Sequence, residues 1–566
     1  MTSREQPEGN VSRALPLMRH QPALSSSDFN ALTVEERLRL VRNAAGKQKY
    51  QLLLNAHDCH ELVQRLPSQE VYLLIKELGI EDCVELLAMT TTEQMTAFFD
   101  LDLWRGEELA PQPTLEWLVI LLEAGEGKVM ETAREMDFEL LTLMMQKFIT
   151  ITSGIESLVD EDALADGRSD RIYEMDFADS ESAKIVGYFL DILYRRDRDF
   201  YLLLMETVRN EVGPSLEDAA YNARSLRLQD RGFPDPFEAL SVFAYLAPTS
   251  FAVESRAKIP FRAAEEGADA PGFFLAEPPG NLLGEILSRG LEPDACWELT
   301  YLLNKVMIAE RIDVGDLEQV RQSMQQVYRY LNIALESLAG NDLDQAIRCF
   351  DNSYFEYLFR LGVSLTLDLK KRAELLRATP HAFYLDGPFR ALLEALCRRR
   401  PQLYEGTLSA DRAGERPFAE LDEVRLCAQW LDRIETQLCL FDGRLGFDLP
   451  DPQTWDLTGC VPENPEDVGL SDLFLTALAN QLLGRDLVPD AIGRRDLEIL
   501  WERVTQDGRV NQELRRETLA WAESLKPGAG EFAAYCLDLW EEGLCALQRN
   551  ELDPRFVGGL ILNLSA

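Results

Sequence analysis

The chain has 566 residues, of which 46% are hydrophobic and 27% are charged. These fractions are ordinary for globular proteins and exclude a mostly disordered or collagen-like chain. Its 57 basic and 97 acidic residues give a formal net charge of −40. Because phosphate groups attract basic surfaces, this charge argues against nucleic acid as the main partner and against anionic membrane surfaces.

The first 27 residues are predicted to form a disordered leader, because they are polar and rich in Ser, Pro, Gln and Arg. They contain no apolar segment typical of a signal peptide, and the best apolar run of the chain, residues 118–122, is far too short to span a bilayer. The ten cysteines include no C-x-x-C pair. We therefore expect a cytoplasmic protein with reduced thiols and without membrane insertion.

Residues 28–150 are predicted to form an N-terminal array of short antiparallel helices, similar to a solenoid. Short amphipathic stripes follow one another across brief polar links. Thr33-Val34-Glu35-Glu36 and Thr90-Thr91-Thr92-Glu93 are predicted capping boxes at two helix starts. This succession is typical of arrays in which each helix pair needs its neighbours to bury its apolar face.

Two alternating, β-branched segments interrupt the helical pattern at residues 148–152 and 172–177. They predict a minor two-stranded β-ribbon near 148–178, at the start of a region of ribbon and helices over 151–246. An acidic loop separates the two segments.

The rest of the chain is predicted to alternate helical blocks with loops rich in proline and glycine, so that the fold class is mostly α. Whether the blocks are separate domains or one body stays open. The predicted regions are a linker or long loop at 247–281, a central helical block at 282–404, a linker-rich segment with one helix at 405–469, and a C-terminal helical block at 470–566.

His57 and His60 are the first candidate metal ligands. If both lie on one helix, they are three residues apart and share a face, so both imidazoles can reach one ion. Further ligands would have to come from elsewhere in the chain. The alternative is a pair of surface histidines beside a buried thiol at Cys59.

Two acidic motifs are the other candidates for a metal site. Asp100 and Asp102 follow a predicted helix end and can hold Mg²⁺ together with water, or cap the next turn. The acidic loop contains Asp160, Asp162 and Asp166 in a partial calcium-loop pattern; the alternative is a solvated loop. No other cofactor is predicted, and Mg²⁺ or Ca²⁺ remains an alternative at these positions.

The stretch from Leu66-Pro67-Ser68-Gln69-Glu70 to Thr92-Glu93-Gln94 resembles the helical repeats in the cytosolic N-terminal domain of MgtE-type magnesium transporters. The resemblance covers residues of about 50–110 and implies short stacked helices. It carries over neither transport nor metal ligands. The whole chain also resembles an uncharacterised family of acidic, all-helical bacterial proteins, and that resemblance implies no activity.

Three functions are compatible with this sequence. The leading hypothesis is a non-enzymatic interaction or scaffold protein that binds a protein partner with a basic or amphipathic surface through stacked helices. The second is a regulator that responds to divalent cations through the acidic motifs. The third is an enzyme with an unrecognised site between helical blocks.

Overall fold

Helices make up most of the structure, a computed structural model that describes residues 26–44, 46–153, 173–251, 258 and 280–564. The predicted mostly α fold is confirmed. In chain order the α-helices are α1 (Ser26–Asn30), α2 (Val34–Asn43), α3 (Gly46–Leu54), α4 (Cys59–Arg65), α5 (Ser68–Leu78), α6 (Val84–Met89), α7 (Thr92–Asp102), α8 (Pro111–Glu123), α9 (Glu126–Glu135), α10 (Phe138–Gln146), α11 (Ser180–Arg196), α12 (Arg198–Asn210), α13 (Gly213–Asp230), α14 (Pro236–Leu240), α15 (Leu282–Leu287), α16 (Pro293–Glu310), α17 (Leu317–Ala339), α18 (Leu343–Asn352), α19 (Phe355–Arg377), α20 (Gly387–Leu396), α21 (Leu421–Phe441), α22 (Leu470–Leu482), α23 (Arg494–Val504), α24 (Gln512–Leu525) and α25 (Ala529–Trp540).

Short strands pair between the helices. They are β1 (Trp104–Arg105), β2 (Glu108–Leu109), β3 (Ile149–Ser153), β4 (Glu174–Phe177), β5 (Leu403–Tyr404), β6 (Glu415–Arg416), β7 (Cys460–Val461), β8 (Ile492–Gly493), β9 (Thr505–Gln506), β10 (Arg509–Val510) and β11 (Leu562–Asn563). The pairs β1–β2, β3–β4, β5–β6 and β9–β10 are antiparallel ribbons, and β11 pairs with both β7 and β8.

The ribbon predicted near 148–178 is confirmed as β3 and β4. Ile149 pairs with Phe177 and Ile151 with Met175, so the alternating apolar residues stand opposite one another. The acidic loop between the two strands lies outside the described residues. The two-residue strands elsewhere were not predicted, because two residues are too few to show an alternating pattern.

The first predicted capping box is present, and the second is shifted by one residue. The Thr33 hydroxyl accepts from the Glu36 N–H, and the Glu36 carboxylate accepts from the Thr33 N–H at 2.9 Å. The second box is formed by Thr91 and Gln94, so the predicted Thr90–Glu93 box was wrong. The reason is that the Thr90 hydroxyl donates to the carbonyl of Leu87 at 2.7 Å and ends the preceding helix instead.

Helices at the start of the chain pack on the helix two further along. Helix α3 contacts α5, α4 contacts α6, α5 contacts α7, α6 contacts α8, and α7 contacts α9. This spacing of contacts is that of an array of antiparallel short helices, as predicted. It also explains why α5 and α7 are buried around most of their circumference, since each lies between two neighbours.

The described residues divide into two units. The first comprises residues up to 244 with 258, 280–331 and 341–359, and the second comprises 245–251, 332–340 and 360–564. In the second unit α22 is buried on almost every side and packs against α25. The apolar end of the chain also packs there, since Ile561 is fully buried and its N–H donates to the Thr476 hydroxyl at 2.9 Å.

Candidate functional site

The last turn of α7 carries the two aspartates that the sequence singled out. The side chain of Asp100 is completely buried, and the guanidinium of Arg227 donates to both of its oxygens at 2.9 and 2.8 Å. Arg231 adds a second cation, with Nη1 3.6 Å from the same carboxylate. The hydrogen bond to Asp100 raises the pKa of Arg227, so the guanidinium stays charged inside the fold.

Asp102 is neutralised by a different set of groups. Its carboxylate accepts from the Trp117 Nε1 at 2.7 Å, the Tyr72 hydroxyl at 3.0 Å and the Lys76 Nζ at 3.1 Å. Burial and the carboxylate raise the pKa of Tyr72 well above its usual range, so this phenol remains a donor. The two aspartates therefore anchor α7 to different neighbours: Asp100 to α13, and Asp102 to α5 and α8.

These contacts bear directly on the predicted metal role of Asp100 and Asp102. A divalent ion at either carboxylate would have to displace a cationic side chain that already contacts it. Within the described ranges, no group of three or more His, Cys, Asp or Glu side chains is arranged to hold a metal ion. Metal binding at this pair stays a prediction from the sequence, and Asp160, Asp162 and Asp166 lie outside the described residues.

His57 and His60 are not presented together by a helix. Helix α4 begins at Cys59, so His57 precedes it, and Asp58 stands at the N-cap position. Both histidines are exposed, and the backbone N–H of His57 donates to the side chain of Asn30 at 2.9 Å. The argument from a shared helical face therefore does not apply to them, and their role as metal ligands remains untested.

A cavity of about 940 Å³ lies beside the end of α7, within the first unit. It is enclosed by the β1–β2 hairpin, by α13, and by the segments around 233–236 and 311–314. Its apolar wall is formed by Leu101, Leu228, Phe233, Pro234, Pro236, Ile308, Ile312 and Val314. Polar and charged side chains, among them Tyr221, Asn222 and Arg224, line the rest of the cavity, and its volume lies within the range of ligand-binding sites.

Trp104, Tyr221 and Arg224 form one corner of the cavity, here called the arginine corner. The Arg224 guanidinium lies over both rings, 5.4 Å from the Trp104 centroid and 5.8 Å from that of Tyr221. Its Nε donates to the backbone carbonyl of Asp100 at 2.7 Å. Asp100 therefore has two roles: its backbone carbonyl positions Arg224, and its side chain forms the salt bridge with Arg227.

Hydrogen-bond donors at the arginine corner are left without acceptors. Trp104 is only 4% exposed, and its Nε1 has no hydrogen-bond partner in the described part of the chain. Arg224 forms no ion pair with any described residue, and its Nη groups make no hydrogen bond there. Burial lowers the pKa of Arg224, which reflects the cost of keeping a charge at this position. The Trp104 Nε1 is the buried donor without an acceptor at this corner, and such donors are rare in native proteins and call for an explanation.

Two of the other charged side chains of the cavity wall contact each other. Arg105 lies 3.5 Å from Asp313, and Asp313 also accepts from the N–H of Gly315 at 2.9 Å. Gly315 is required at that position, because a Cβ there would lie 2.8 Å from the Asp102 carboxylate. Because Gly315 packs closely against Asp102 and its N–H donates to Asp313, Asp313 is held at the cavity wall.

Sequence reasoning found the aspartates but missed the arginine corner. Trp104 and Arg224 are 120 residues apart, and no local motif joins them. One signal was available: Arg224, Arg227 and Arg231 follow one another at helical spacing in a chain whose acidic residues outnumber its basic ones.

A second pair of buried carboxylates lies in the second unit, at the start of α22. Asp386 accepts from the N–H of Ser471 at 3.3 Å and from its hydroxyl, and Asp472 accepts from the N–H of Gly469 at 2.8 Å. Burial raises the pKa of Asp386 to about 6 and also raises that of Asp472. Neither carboxylate forms an ion pair with a described residue.

The fold and the cavity together define a mostly helical protein with a concave site in its first unit, and no helix among the described residues is long and apolar enough to cross a membrane. The chain belongs to the Family of unknown function (DUF6178), whose model matches residues 26–563. No curated protein and no solved structure matches the chain. The expected membership of an uncharacterised family is thus confirmed, whereas the resemblance to MgtE-type transporters gains no support.

Proposed function

We propose that the protein is a non-enzymatic binding protein that takes up a short amphipathic segment of a protein partner in the cavity of its first unit. The observation that carries this proposal is the cavity of about 940 Å³, with an apolar wall and unsatisfied donors at the arginine corner. Protein grooves commonly bind peptide segments by burying apolar side chains and orienting them with a few polar contacts.

Exposed apolar side chains beside the cavity support a macromolecular partner. Leu226 lines the cavity and is 63% exposed. Helix α14 follows directly from the cavity wall at Pro236 and carries Phe237, which is 86% exposed, and Leu240. Large exposed apolar groups gathered in one place are typical of protein interaction sites. A peptide that fills the cavity can therefore extend over these side chains.

The net charge of the chain suggests which charges the partner carries on either side of the bound segment. The formal net charge of −40 attracts basic surfaces over long range and raises the association rate at low salt. We therefore propose an amphipathic segment with basic flanks. Association should slow as ionic strength rises, because exposed charges are screened within about 10 Å at 0.1 M salt.

The state of the titratable groups favours binding over catalysis. Asp100 and Asp102 are held by cationic side chains, and burial raises the pKa of Cys83 and of Cys427 to about 12. A thiol with so high a pKa is a poor nucleophile at neutral pH. The ten cysteines are all free, which supports our proposal that the protein works in the cytoplasm.

Photo-crosslinking from defined positions tests the proposed function. p-Benzoylphenylalanine is placed at position 226 or 237 of the full chain in its native cell, and at position 375 as a control, since Leu375 is 73% exposed and lies in the second unit. The proposal expects one protein to be crosslinked from both 226 and 237 but not from 375. The crosslinks should map to one short segment, and a synthetic peptide of that segment should bind the purified chain.

The same experiment can refute the proposal. If the products from 226 and 237 are the same as those from 375, or if they scatter over many proteins and segments, the cavity does not bind a defined partner segment.

A further inference from the structure

We propose that the arginine corner is a receptor for a single carboxylate carried on an aromatic or aliphatic body. This inference rests on the proposed function, because it takes the cavity to be a binding site and names the group that the site recognises. It assigns Arg224 and Trp104 as the residues that bind the carboxylate.

The unsatisfied donors of the corner call for an anionic acceptor. Arg224 has its Nε bound to the Asp100 carbonyl, which fixes the plane of the guanidinium and leaves both Nη groups without an acceptor among the described residues. The Trp104 Nε1 is buried in the same wall and is likewise unpartnered. A carboxylate can accept from an arginine in a two-point contact, and its remaining lone pairs can accept from an indole N–H.

The charged side chains that line the cavity favour a ligand with one negative charge over a ligand with two. Three arginines line the cavity, and so do three acidic residues, Glu107, Asp235 and Asp313. The guanidinium of Arg105 is already beside Asp313. Arg224 forms no ion pair with a described residue, and only the more distant Asp100 carboxylate offsets its charge, whereas a phosphate dianion would bring a second charge toward the acidic side chains. A monocarboxylate balances the corner, whereas a phosphate does not.

The part of the ligand that carries the carboxylate must be apolar. The wall next to the corner consists of Leu101, Leu228, Phe233 and Ile312, with the rings of Trp104 and Tyr221 beside Arg224. Burying an apolar side chain against such a wall favours binding, because it removes apolar surface from water. The ligand therefore resembles an acidic residue adjoining an aromatic residue, or an aromatic residue at the C-terminus of a chain.

Small probes distinguish these two sources of the carboxylate. Acetyl-Phe-Glu-amide carries it on a side chain, and acetyl-phenylalanine carries it at the C-terminal position. Acetyl-Phe-Gln-amide is the neutral control, and phenyl phosphate is the control for a dianion. Binding of each probe to the full chain is measured by ligand-observed NMR titration at a fixed, low salt concentration.

We expect one of the two carboxylates to bind at least about tenfold more tightly than the neutral control, as charge-assisted hydrogen bonds are roughly twice as strong as neutral ones. The variant R224Q should abolish this preference. R311Q, which changes an exposed arginine of the same wall, should retain it. W104F keeps an aromatic ring, although a smaller one, and removes the N–H. It should weaken carboxylate binding severalfold, and it provides a test even if R224Q fails to fold.

Three results would overturn the inference: equal binding of the acidic and neutral probes, tighter binding of phenyl phosphate, or a carboxylate preference that survives both R224Q and W104F. Equal binding together with a crosslinked partner at the cavity would refute the carboxylate receptor and leave the proposed function standing. Carboxylate-dependent binding without any crosslinked protein would refute the protein partner and support the receptor for a small acid.

Discussion

Both units of the protein bury a pair of carboxylates, but they neutralise the charges by different means. In the first unit Asp100 and Asp102 contact arginine and lysine side chains. In the second unit Asp386 and Asp472 accept only from backbone N–H groups and a serine hydroxyl near the start of α22 among the described residues. A helix start favours negative charge only modestly, by about 0.3–1 kcal/mol at exposed positions.

This difference predicts two kinds of behaviour. Burial raises the pKa of Asp100, and the hydrogen bonds from Arg227 oppose that rise, so a specific cationic partner holds this carboxylate in place. Asp386 has no cationic partner among the described residues, and burial raises its pKa to about 6 against the opposing hydrogen bonds from Ser471. The comparison suggests that the wall of the cavity is held rigidly, whereas the stability of the second unit depends on pH.

The largest effect is expected from D100N. The substitution leaves Arg227 and Arg231, which are partly buried, beside a neutral amide, although Arg227 keeps its contact with Asp137. Removing one partner of a buried pair typically costs about 3–5 kcal/mol, and we expect a loss near the lower end of that range. Hydrogen exchange followed by mass spectrometry should show strongly reduced protection of α7 and α13. A loss below about 1 kcal/mol would mean that the pair behaves like a surface ion pair, contrary to the comparison.

The second-largest effect is expected in the pH dependence of the stability of the second unit. The folded-state pKa of Asp386 lies near 6 instead of its ordinary 3.8, so the folded state binds the proton more tightly than the unfolded state. The contribution of Asp386 to the free energy of unfolding is therefore greatest below about pH 4. It is lost as the pH rises through about 6, and the total loss is up to about 3 kcal/mol.

The variant D386N checks this assignment, because it removes the titration. The amide can still accept from Ser471. Protection of α22 should decline between pH 4 and 7 in the native chain and change less in the variant. An equal decline in both would assign the pH dependence to other groups, of which Asp472 is the nearest candidate.

A smaller effect is expected from K76M in the first unit. Asp102 would lose its cation but keep the hydrogen bonds from Tyr72 and Trp117. We expect a loss of about 1–2 kcal/mol in urea denaturation, since one charged hydrogen bond is lost and two donors remain. A loss as large as that of D100N would show that neutral donors contribute little to holding this carboxylate.

The smallest effect is expected for an exposed ion pair. Arg196 lies 2.5 Å from Glu126, and the Arg196 side chain is 59% exposed. R196A should change stability by less than about 1 kcal/mol, and less still at high salt. This variant is the control for D100N, because both break an arginine–carboxylate contact and differ mainly in burial.

Much of the fold could be predicted because its signals are local. Amphipathic stripes, the Thr33–Glu36 capping box and the stop of α17 before Gly340 are each written within one or two helical turns. The alternation in residues 149–151 and 175–177 predicted β3 and β4 in the same way. The second capping box was placed one residue early, because three consecutive threonines offer competing hydroxyl groups and only the tertiary contact of Gln94 with the carbonyls of Val63 and Leu66 selects one.

The candidate site was less predictable than the fold. The sequence pointed to Asp100 and Asp102 as carboxylates with a role, but it could not tell that their partners are Arg227 and Lys76. The His57–His60 hypothesis assumed a helix that begins two residues later, at Cys59. Where a helix starts depends on competing caps, and those are decided by packing as much as by local sequence.

The sequence alone determined the mostly helical fold class, the β3–β4 ribbon, the capping box at Thr33 and the acidic net charge. Only the tertiary structure decided which side chains meet: that two aspartates are ion-paired, that two others are not, and that Trp104 and Arg224 share one corner of a cavity. The physical reason is the separation along the sequence of the residues that must interact. Helix formation depends on residues three and four positions apart, whereas a site depends on charges and rings brought together from elements more than a hundred residues apart.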